Sequence, residues 1–409
     1  MVKHSALIPS ALSTGVKTVS NIGIFVLIGH FYDNVLFSQY IYMVTLATFL
    51  AFVTDFGYAT KIIVDFTAKP ISVALKNSFY TRFLVLAVIL ALVSIVFIGF
   101  YFSWLFLFLF LNVVFSYWLE SFSFKLRFEG KYWSEFIYSS WVNFLPFICL
   151  IYFIYTKANL EWIFMMLSAF KLITFIFFYS RVKVTEHNEV SIKSEINDCF
   201  KFFLDSVTLN AQPLLQVYLA KIFLDPPAFV VFGYAQKIIQ AFNTLFSALN
   251  NVFYPKLARN LESRMDILRN LKSFAITVNS FPILLLLFFF VFQYAISPVF
   301  FVDLSLFYQS ILTILPYCLI VVFIRFNSAI LGSLLTLFGR QKFRATANVI
   351  VLFVEIGLLS LFLKLFPKSE VVVQALIASS LLLLVGYLWA IKNDKNIFSV
   401  VFNTKKAKS

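Results

Sequence analysis

Long apolar runs separated by short polar breaks dominate the chain, and each run has the length of a membrane-crossing helix. About 20 apolar residues cross the bilayer as an α-helix, and the alternation that is typical of a transmembrane β-barrel is absent from these runs. The run Val85–Phe115 is too long for one span, so we divide it at Tyr101–Trp104. The pattern then predicts twelve spans, at about 8–30, 39–63, 81–101, 104–124, 137–156, 160–180, 202–222, 229–250, 273–295, 308–333, 346–366 and 371–391.

The polar stretch Arg181–Lys201 divides these spans into six plus six. Leu27–Tyr40 is similar to Leu219–Tyr234, and Phe124–Phe136 to Leu334–Asn348, although short membrane turns also resemble one another by chance. Six spans per half is an even number, so the halves would form a parallel repeat, and such repeats often enclose a central cavity. We predict four segments: a six-helix lobe over 1–180, a cytoplasmic linker over 181–201, a six-helix lobe over 202–391 and a basic cytoplasmic tail over 392–409.

The eighth span carries a polar stripe. Gln236, Gln240, Asn243, Ser247 and Asn250 recur at intervals of four and three residues, which places them on one face of a helix. Polar groups inside a bilayer are costly and face either a cavity or a partner helix. Hydrogen bonding between helices is the alternative use of such residues. We predict that the stripe lines a cavity.

Polar residues are also concentrated in the first, second and seventh spans. These spans and the eighth are the first pair of each half, so a parallel repeat would bring the two pairs to one central cavity. The predicted cavity-lining side chains are Asn21, Gln212, Gln216, Gln236, Gln240, Asn243 and Asn250.

Three cations fall within the predicted spans at positions that could contact an anionic cargo. Lys17 precedes Asn21 by one helical turn on the polar face of the first span. Lys237 lies one residue off the stripe, where its ammonium group could equally extend to the membrane surface. Arg325 lies in the middle of the tenth span and needs a partner or water.

The acidic residues within the spans leave two alternatives open. Asp55 and Asp205 could titrate as proton or sodium sites, or could pair with Lys17. Glu120, Glu355 and Lys171 are expected to form structural pairs or to extend to the surface.

Composition and charge agree with a membrane protein. The chain is 61% hydrophobic and 13% charged, against about 25% charged residues in a soluble domain, so we predict an all-α integral membrane protein. Of the 33 Lys and Arg residues, 25 fall in the cytoplasmic segments of this topology, four on the opposite side and four within spans. That bias predicts cytoplasmic N- and C-termini. The net charge of +14 then indicates contact with anionic membrane lipids rather than with nucleic acid.

Motifs that signal an enzyme or a cofactor are absent from the sequence. It contains no phosphate-binding glycine loop, metal-ligand cluster or nucleophile motif. We therefore expect a protein that is not an enzyme and has no cofactor. Its energy would come from a proton or sodium gradient or from the cargo itself.

Three stretches carry a resemblance to a known family: Leu36–Ile62, Asn250–Arg259 and Ile330–Val351. Together with the twelve spans, they resemble the multidrug/oligosaccharidyl-lipid/polysaccharide (MOP) exporter superfamily, and within it the Wzx-type polysaccharide or O-antigen flippases. The aromatic–Pro–Lys sequence at Tyr254–Lys256 is the most characteristic feature. The turn Leu36–Gln39 departs from the family, which often has an acidic or glycine-bearing turn there.

The resemblance implies a protein of the bacterial inner membrane. It would move an undecaprenyl-diphosphate-linked oligosaccharide from the cytoplasmic to the periplasmic leaflet by alternating access, as a step of lipopolysaccharide biosynthesis. Lys17 would contact the diphosphate, and Gln236, Gln240, Asn243 and Asn250 would contact the sugars. The polysaccharide polymerase and the chain-length regulator are the partner proteins that this role suggests.

Two rival functions remain open at the level of sequence. A cation-coupled drug exporter of the same superfamily would favour acidic cavity residues, and Asp55 and Asp205 keep that alternative open. A membrane polysaccharide polymerase usually has a large periplasmic loop with catalytic residues. The outer loops here are short, which argues against a polymerase.

Overall fold

The computed structural model describes residues 4–58, 61–62, 65–66, 70–98, 103–182, 192–259, 264–291 and 306–394. Twelve long helices account for most of these residues. We number them α1 His4–Phe31, α2 Asn34–Asp55, α3 Ile71–Ile98, α4 Trp104–Phe128, α5 Tyr132–Tyr155, α6 Leu160–Tyr179, α7 Ile192–Phe223, α8 Pro226–Arg259, α9 Arg264–Val291, α10 Leu306–Leu337, α11 Gln341–Leu365 and α12 Ser369–Asn393.

Each predicted span corresponds to one helix, and the division of the run Val85–Phe115 is confirmed. Ser103 caps the start of α4, where its hydroxyl accepts a hydrogen bond from the Phe106 N–H at 3.5 Å. Within the described residues, ten helices are long and apolar enough to cross a membrane. The two exceptions are α7 and α8, whose polar side chains lower their hydropathy. The chain is a multi-pass membrane protein.

Three helices begin nine or ten residues before the predicted spans: α3, α7 and α9, the last at Arg264 rather than near 273. α3 begins at Ile71 rather than near 81, so Arg82, which the predicted span placed at the very start of the helix, is a fully buried residue about three turns into it. α7 begins at Ile192, inside the predicted linker 181–201. Cys199 is buried there. The first turns of α3 bury Val73, Ala74 and Leu75, which explains why this helix extends past its most apolar part.

The helices form two compact units, Met1–Leu214 and Leu215–Ser409. In the first unit, α4 packs along α2 and α6; in the second, α10 packs along α8 and α12. The fourth helix of each half therefore contacts the second and sixth of its own half, as expected for two lobes with equivalent helices. The boundaries of the four sequence segments, the orientation of the termini and the central cavity stay predictions.

Aromatic side chains fill the interior of the first unit. Phe79 of α3 makes edge contacts with Phe175 and Tyr179 of α6, with ring centroids 5.0 and 5.6 Å apart. Trp118 of α4 packs against the same Phe175 at 5.1 Å. In the second unit, Phe246 of α8 lies between Phe274 and Phe326. A sequence this rich in Phe thus uses part of that content to hold its helices together.

α5 contains a wide turn in its middle. Ser140–Phe144 form a π-helical segment between the α-helical parts Tyr132–Ser139 and Leu145–Tyr155. Pro146 has no N–H to donate to the preceding turn, which favours such a rearrangement. The amide side chain of Asn143 donates to the Ser139 carbonyl at 3.1 Å and so adds a hydrogen bond within the wide turn. α1 packs along the whole length of α5.

Candidate functional site

An ion pair joins the middle of α1 to α4. Lys17 Nζ lies 2.8 Å from Glu120 Oε1. The side chains keep 37% and 31% of their surface exposed, respectively. Each residue is at least eight positions from either end of its helix, a distance of about 12 Å along the axis. The pair is therefore at membrane depth and remains partly accessible.

A second lysine lies in the same region. Lys171, at mid-helix in α6, is buried, and its Nζ donates to Ser116 Oγ of α4 at 2.7 Å. Ser116 lies one helical turn before Glu120 on α4, so both lysines contact the same stretch of that helix. Lys17, Lys171, Glu120 and Ser116 form what we call the α1–α4–α6 cluster. It contains two amines that can carry positive charge and one carboxylate.

Asp55 has a different partner from the one that the sequence suggested. Its Oδ1 lies 2.6 Å from Arg82 Nη2 rather than next to Lys17. Arg82 also donates to Ser121 Oγ at 2.6 Å, and its guanidinium group lies 5.2 Å from the ring centre of Tyr58. The early start of α3 explains the difference, because it carries Arg82 into the interior. Asp55 and Arg82 side chains are each 1% exposed.

A further carboxylate lies at the contact of α1, α4 and α5. Glu135 is fully buried and receives hydrogen bonds from Arg127, Ser13 and Ser123. Ser13 in turn shares a 2.6 Å hydrogen bond with Ser139, next to the wide turn of α5. This group connects three helices and has the satisfied geometry of a structural network.

The second unit holds its own ionic cluster around Glu355 of α11. Glu355 accepts a hydrogen bond from Gln216 Nε2 of α7 at 2.6 Å and another from Ser379 Oγ of α12 at 2.8 Å. Arg325 Nη2 lies 4.0 Å from Glu355 Oε2, and its Nε donates to Ser380 Oγ at 3.3 Å. The partner that Arg325 was expected to need is thus Glu355.

The clusters of the two units draw on equivalent helices. Lys17 and Gln216 belong to the first helix of their half, Glu120 and Arg325 to the fourth, and Lys171 and Ser380 to the sixth. The two halves therefore resemble each other both in how their helices pack and in which helices carry the buried polar groups.

The stripe on α8 is partly buried. Gln236 is 5% exposed, whereas Gln240 and Asn243 are half-buried. Lys237 Nζ donates to Gln240 Oε1 at 3.2 Å, so this lysine hydrogen-bonds to a residue of the stripe. The assignment of these side chains to a cavity stays a prediction.

The remaining predicted residues are spread over both units. Asn21 is exposed on α1, one turn from Lys17, and Gln212 is half-buried on α7. The side chains of Asn250 and Asp205 lie outside the described part of the chain. Among the described residues, no group of His, Cys, Asp and Glu has the arrangement of a metal site.

The sequence analysis did not include Glu120, Lys171 and Glu355 among the candidate site residues, although they belong to the ionic clusters of the two units. The available signal was the position of each charge near mid-helix, where it needs a buried partner. Structural pairing was expected for them and is observed. What the sequence did not give was the identity of each partner.

Among the comparisons with known proteins, only the one with solved structures finds proteins similar to this chain. No protein-family model and no curated protein matches the chain, whereas solved structures do. An outward-facing multidrug resistance MATE family transporter of the MOP superfamily has 14% identity and a TM-score of 0.65, over 96% of this chain and 94% of that one. A MATE in complex with MaD5 has 12% identity and a TM-score of 0.66, over 98% and 96%.

A third structure comes from Pyrococcus furiosus Vc1. It is a MOP superfamily transporter described as having a binding pocket of reverse polarity, with 13% identity, a TM-score of 0.59 and coverage of 96% and 95%. The chain has the MOP transporter fold. At 12 to 14% identity, this likeness establishes the fold alone. It agrees with the superfamily resemblance seen in the sequence, while the finer resemblance to Wzx-type flippases stays a prediction.

Proposed function

We propose that the chain is a flippase that moves an undecaprenyl-diphosphate-linked O-antigen repeat unit from the cytoplasmic to the periplasmic leaflet of the inner membrane. The observation that carries this proposal is the α1–α4–α6 cluster, in which two amines and one carboxylate occupy membrane depth in a MOP fold. A partly exposed lysine at that depth suits an anionic cargo better than a cationic one.

Physical chemistry supports a polar route for such a cargo. Burying an unpaired charge in hydrocarbon costs many kcal/mol, so a lipid diphosphate bearing a glycan does not cross a bilayer unaided. Lys17 would contact the diphosphate, with Lys237 and Arg325 as further candidate cations. The amides Gln236, Gln240, Asn243 and Asn250 would replace water around the sugar hydroxyls, with Asn21, Gln212 and Gln216 as further polar contacts.

The remaining features of the proposal follow from this role. The protein would alternate between inward- and outward-open states around a central cavity, with both termini cytoplasmic. It would carry no cofactor and perform no covalent chemistry. A proton or sodium gradient could drive it, with Asp205 and Asp55 as the candidate titrating groups. Its partners would be the lipid-linked oligosaccharide, membrane lipids, the polysaccharide polymerase and the chain-length regulator.

A cation-coupled multidrug exporter is the second candidate, because the similar solved structures include a multidrug resistance MATE transporter. A drug exporter for cations needs accessible carboxylates. In the described residues of the first unit, Asp55 is engaged by Arg82 and Glu135 by Arg127, and both carboxylates are buried. Glu120 is more exposed, but it faces a lysine. This arrangement favours the anionic cargo.

Deletion of the gene in the source bacterium tests the proposal. We expect the surface polysaccharide to be lost and complete lipid-linked repeat units to accumulate on the cytoplasmic leaflet. Units that reach the periplasm but stay unpolymerised would instead indicate a polymerase. Normal surface polysaccharide, together with increased sensitivity to cationic drugs, would favour the exporter.

A further inference from the structure

Two turns at equivalent positions of the halves, one after α4 and one after α10, share the same backbone geometry. Each contains a glycine, Gly130 or Gly339, with a φ of 74°. The residue after each glycine donates its N–H to the carbonyl five positions earlier, at 2.8 Å in both turns. Helices commonly end at a left-handed glycine in this way. The two turns can therefore be compared position by position, counting from the glycine.

The first turn neutralises most of its own charge. Between Lys125 and Glu135 the chain carries three cations and two carboxylates. Lys125 and Lys131 pair with Glu129, and Arg127 pairs with the buried Glu135. Each cation of this turn thus has a carboxylate partner within the turn itself.

The second turn has the opposite charge at one of these positions. Five residues after the glycine, the first turn has Glu135 and the second has Arg344. The guanidinium group of Arg344 donates to Thr336 Oγ1 at 2.9 Å, and Thr336 occupies the position that Arg127 has in the first turn. A neutral hydroxyl group thus replaces a charged partner, and it leaves the charge of Arg344 uncompensated.

Positive charge therefore remains in excess at the second turn. The matching stretch that ends at Arg344 contains three cations and no carboxylate. One of them, Arg340, has its Nε 2.7 Å from Asp394 Oδ2, just after α12. Lys342 and Lys392 are exposed at the same two helix ends. Among the described residues, no carboxylate lies within ion-pair distance of Arg344 or of either lysine.

Exposed apolar side chains continue from these lysines along both helices. On α11, Val349 and Phe353 lie seven and eleven residues after Lys342, which places them on the same helical face. On α12, Trp389 and Val385 lie three and seven residues before the other lysine, again on one face. A lysine ammonium group next to such an apolar stripe extends to the level of the lipid headgroups. Each helix thus presents a cation above a surface suited to acyl chains.

Two contacts bring the start of α11 and the end of α12 together. One is the ion pair between Arg340 and Asp394, and the other joins the rings of Phe343 and Trp389, whose centroids are 6.4 Å apart. The two apolar stripes and their cations therefore belong to one surface of the second unit.

We propose that this surface is a binding site for an anionic phospholipid, whose phosphate interacts with Lys342, Lys392 and Arg344 and whose acyl chains lie along α11 and α12. The site goes beyond the proposed function, because its lipid stays bound to the protein and is not the cargo. A phospholipid with net negative charge fits the surplus of cations. A zwitterionic lipid brings a cation of its own, which repels the lysines and neutralises the phosphate.

Native mass spectrometry of the full-length protein in detergent tests the site. Dioleoylphosphatidylglycerol and dioleoylphosphatidylcholine serve as probes, because they share their acyl chains and differ in net charge. The double variant Lys342→Gln/Lys392→Gln removes the two exposed cations of the second turn. Lys125→Gln/Lys131→Gln is the matched control, because it removes two cations from the equivalent turn of the first unit.

The wild type should bind phosphatidylglycerol about tenfold more tightly than phosphatidylcholine. Lys342→Gln/Lys392→Gln should weaken phosphatidylglycerol binding about tenfold and leave phosphatidylcholine binding unchanged, because each basic residue near a lipid surface contributes about fivefold. The control variant should behave like the wild type. Phosphatidylglycerol should also raise the thermal unfolding temperature of the wild type and the control, but not that of the second-turn variant.

Three results would overturn the proposal. Equal loss of phosphatidylglycerol binding in both double variants would show that the total charge of the protein attracts the lipid. Equal binding of the two lipids by the wild type would show that the surface does not select for charge. Displacement of phosphatidylglycerol by excess inorganic phosphate would show that the cations bind a free anion rather than a lipid. None of these results bears on the flippase proposal, since neither probe is the proposed cargo.

Discussion

Lys17 Nζ and Glu120 Oε1 are 2.8 Å apart at membrane depth, and both side chains remain partly exposed. The neighbouring Arg82–Asp55 pair has a similar separation, 2.6 Å, but is almost completely buried. Two ion pairs of similar geometry therefore have different properties. The buried pair holds α2 and α3 together, whereas the exposed pair can exchange partners.

Substitution of Lys17 should affect transport according to charge. Lys17→Ala should abolish surface polysaccharide, because the diphosphate loses its candidate cation and Glu120 loses its partner. Lys17→Arg should retain most transport, since a guanidinium group also binds phosphate. Complementation of the deletion strain at matched membrane abundance measures both variants. Transport by Lys17→Ala equal to that of the wild type would refute the role of this residue.

The Arg82–Asp55 pair should act as a unit in stability. Removing one partner of a buried ion pair typically costs about 3–5 kcal/mol. We therefore expect Arg82→Met and Asp55→Asn each to lower the thermal unfolding temperature strongly in detergent. The double variant should be no less stable than either single variant, because it leaves no unpaired charge in the interior.

A double-variant loss equal to the sum of the single losses would show that the two side chains do not stabilise one another. Surface expression of all four proteins should follow the same order as the unfolding temperatures.

Two glycines of α1 should respond differently to the same substitution. A Cβ added at Gly23 would lie 2.5 Å from Phe147 Cζ of α5, whereas one at Gly15 would meet nothing within 4 Å. Gly23→Ala should destabilise the protein by about 1–3 kcal/mol through overpacking. Gly15→Ala should be neutral or stabilising by up to about 1 kcal/mol, because alanine favours helix.

Thermal unfolding of the two variants checks this contrast. The Gly23 penalty should disappear when Phe147 is also replaced by alanine. Similar unfolding temperatures for the two single variants would mean that α1 and α5 are not in close contact at this position.

The stripe on α8 should matter for transport more than for folding. Gln240→Leu removes an amide that the proposed function assigns to sugar hydroxyls, so transport should fall several-fold at unchanged membrane abundance. Gln374→Leu is the matched control, because it makes the same chemical change at an exposed position of α12. Equal transport by both variants would indicate that the α8 amide does not contact the cargo.

The sequence predicted the number and order of the helices because hydrocarbon imposes a minimum length on every span. It also placed a break at Tyr101–Trp104, since a run as long as Val85–Phe115 is too long for one span, and Ser103 caps the next helix there. The start of α3 was predicted about ten residues too late, because the residues before position 81 are less apolar than those after it. Arg82 is neutralised by Asp55, a partner 27 positions earlier in the chain.

The candidate site was less predictable than the fold. Helical periodicity identifies the face on which Lys17 and Asn21 lie, but it carries no information on which other helix faces them. Glu120 and Lys171 are brought to Lys17 by the packing of α4 and α6. Long-range pairing of this kind depends on the tertiary structure.

Transport in a purified system tests the central claim most directly. The full-length protein would be reconstituted in liposomes with a fluorescent undecaprenyl-diphosphate-linked oligosaccharide, and its movement to the opposite leaflet would be followed by a membrane-impermeant quencher. We predict that the wild type accelerates this movement and that Lys17→Ala does not. Movement no faster than in protein-free liposomes, under every proton or sodium gradient applied, would contradict the flippase proposal.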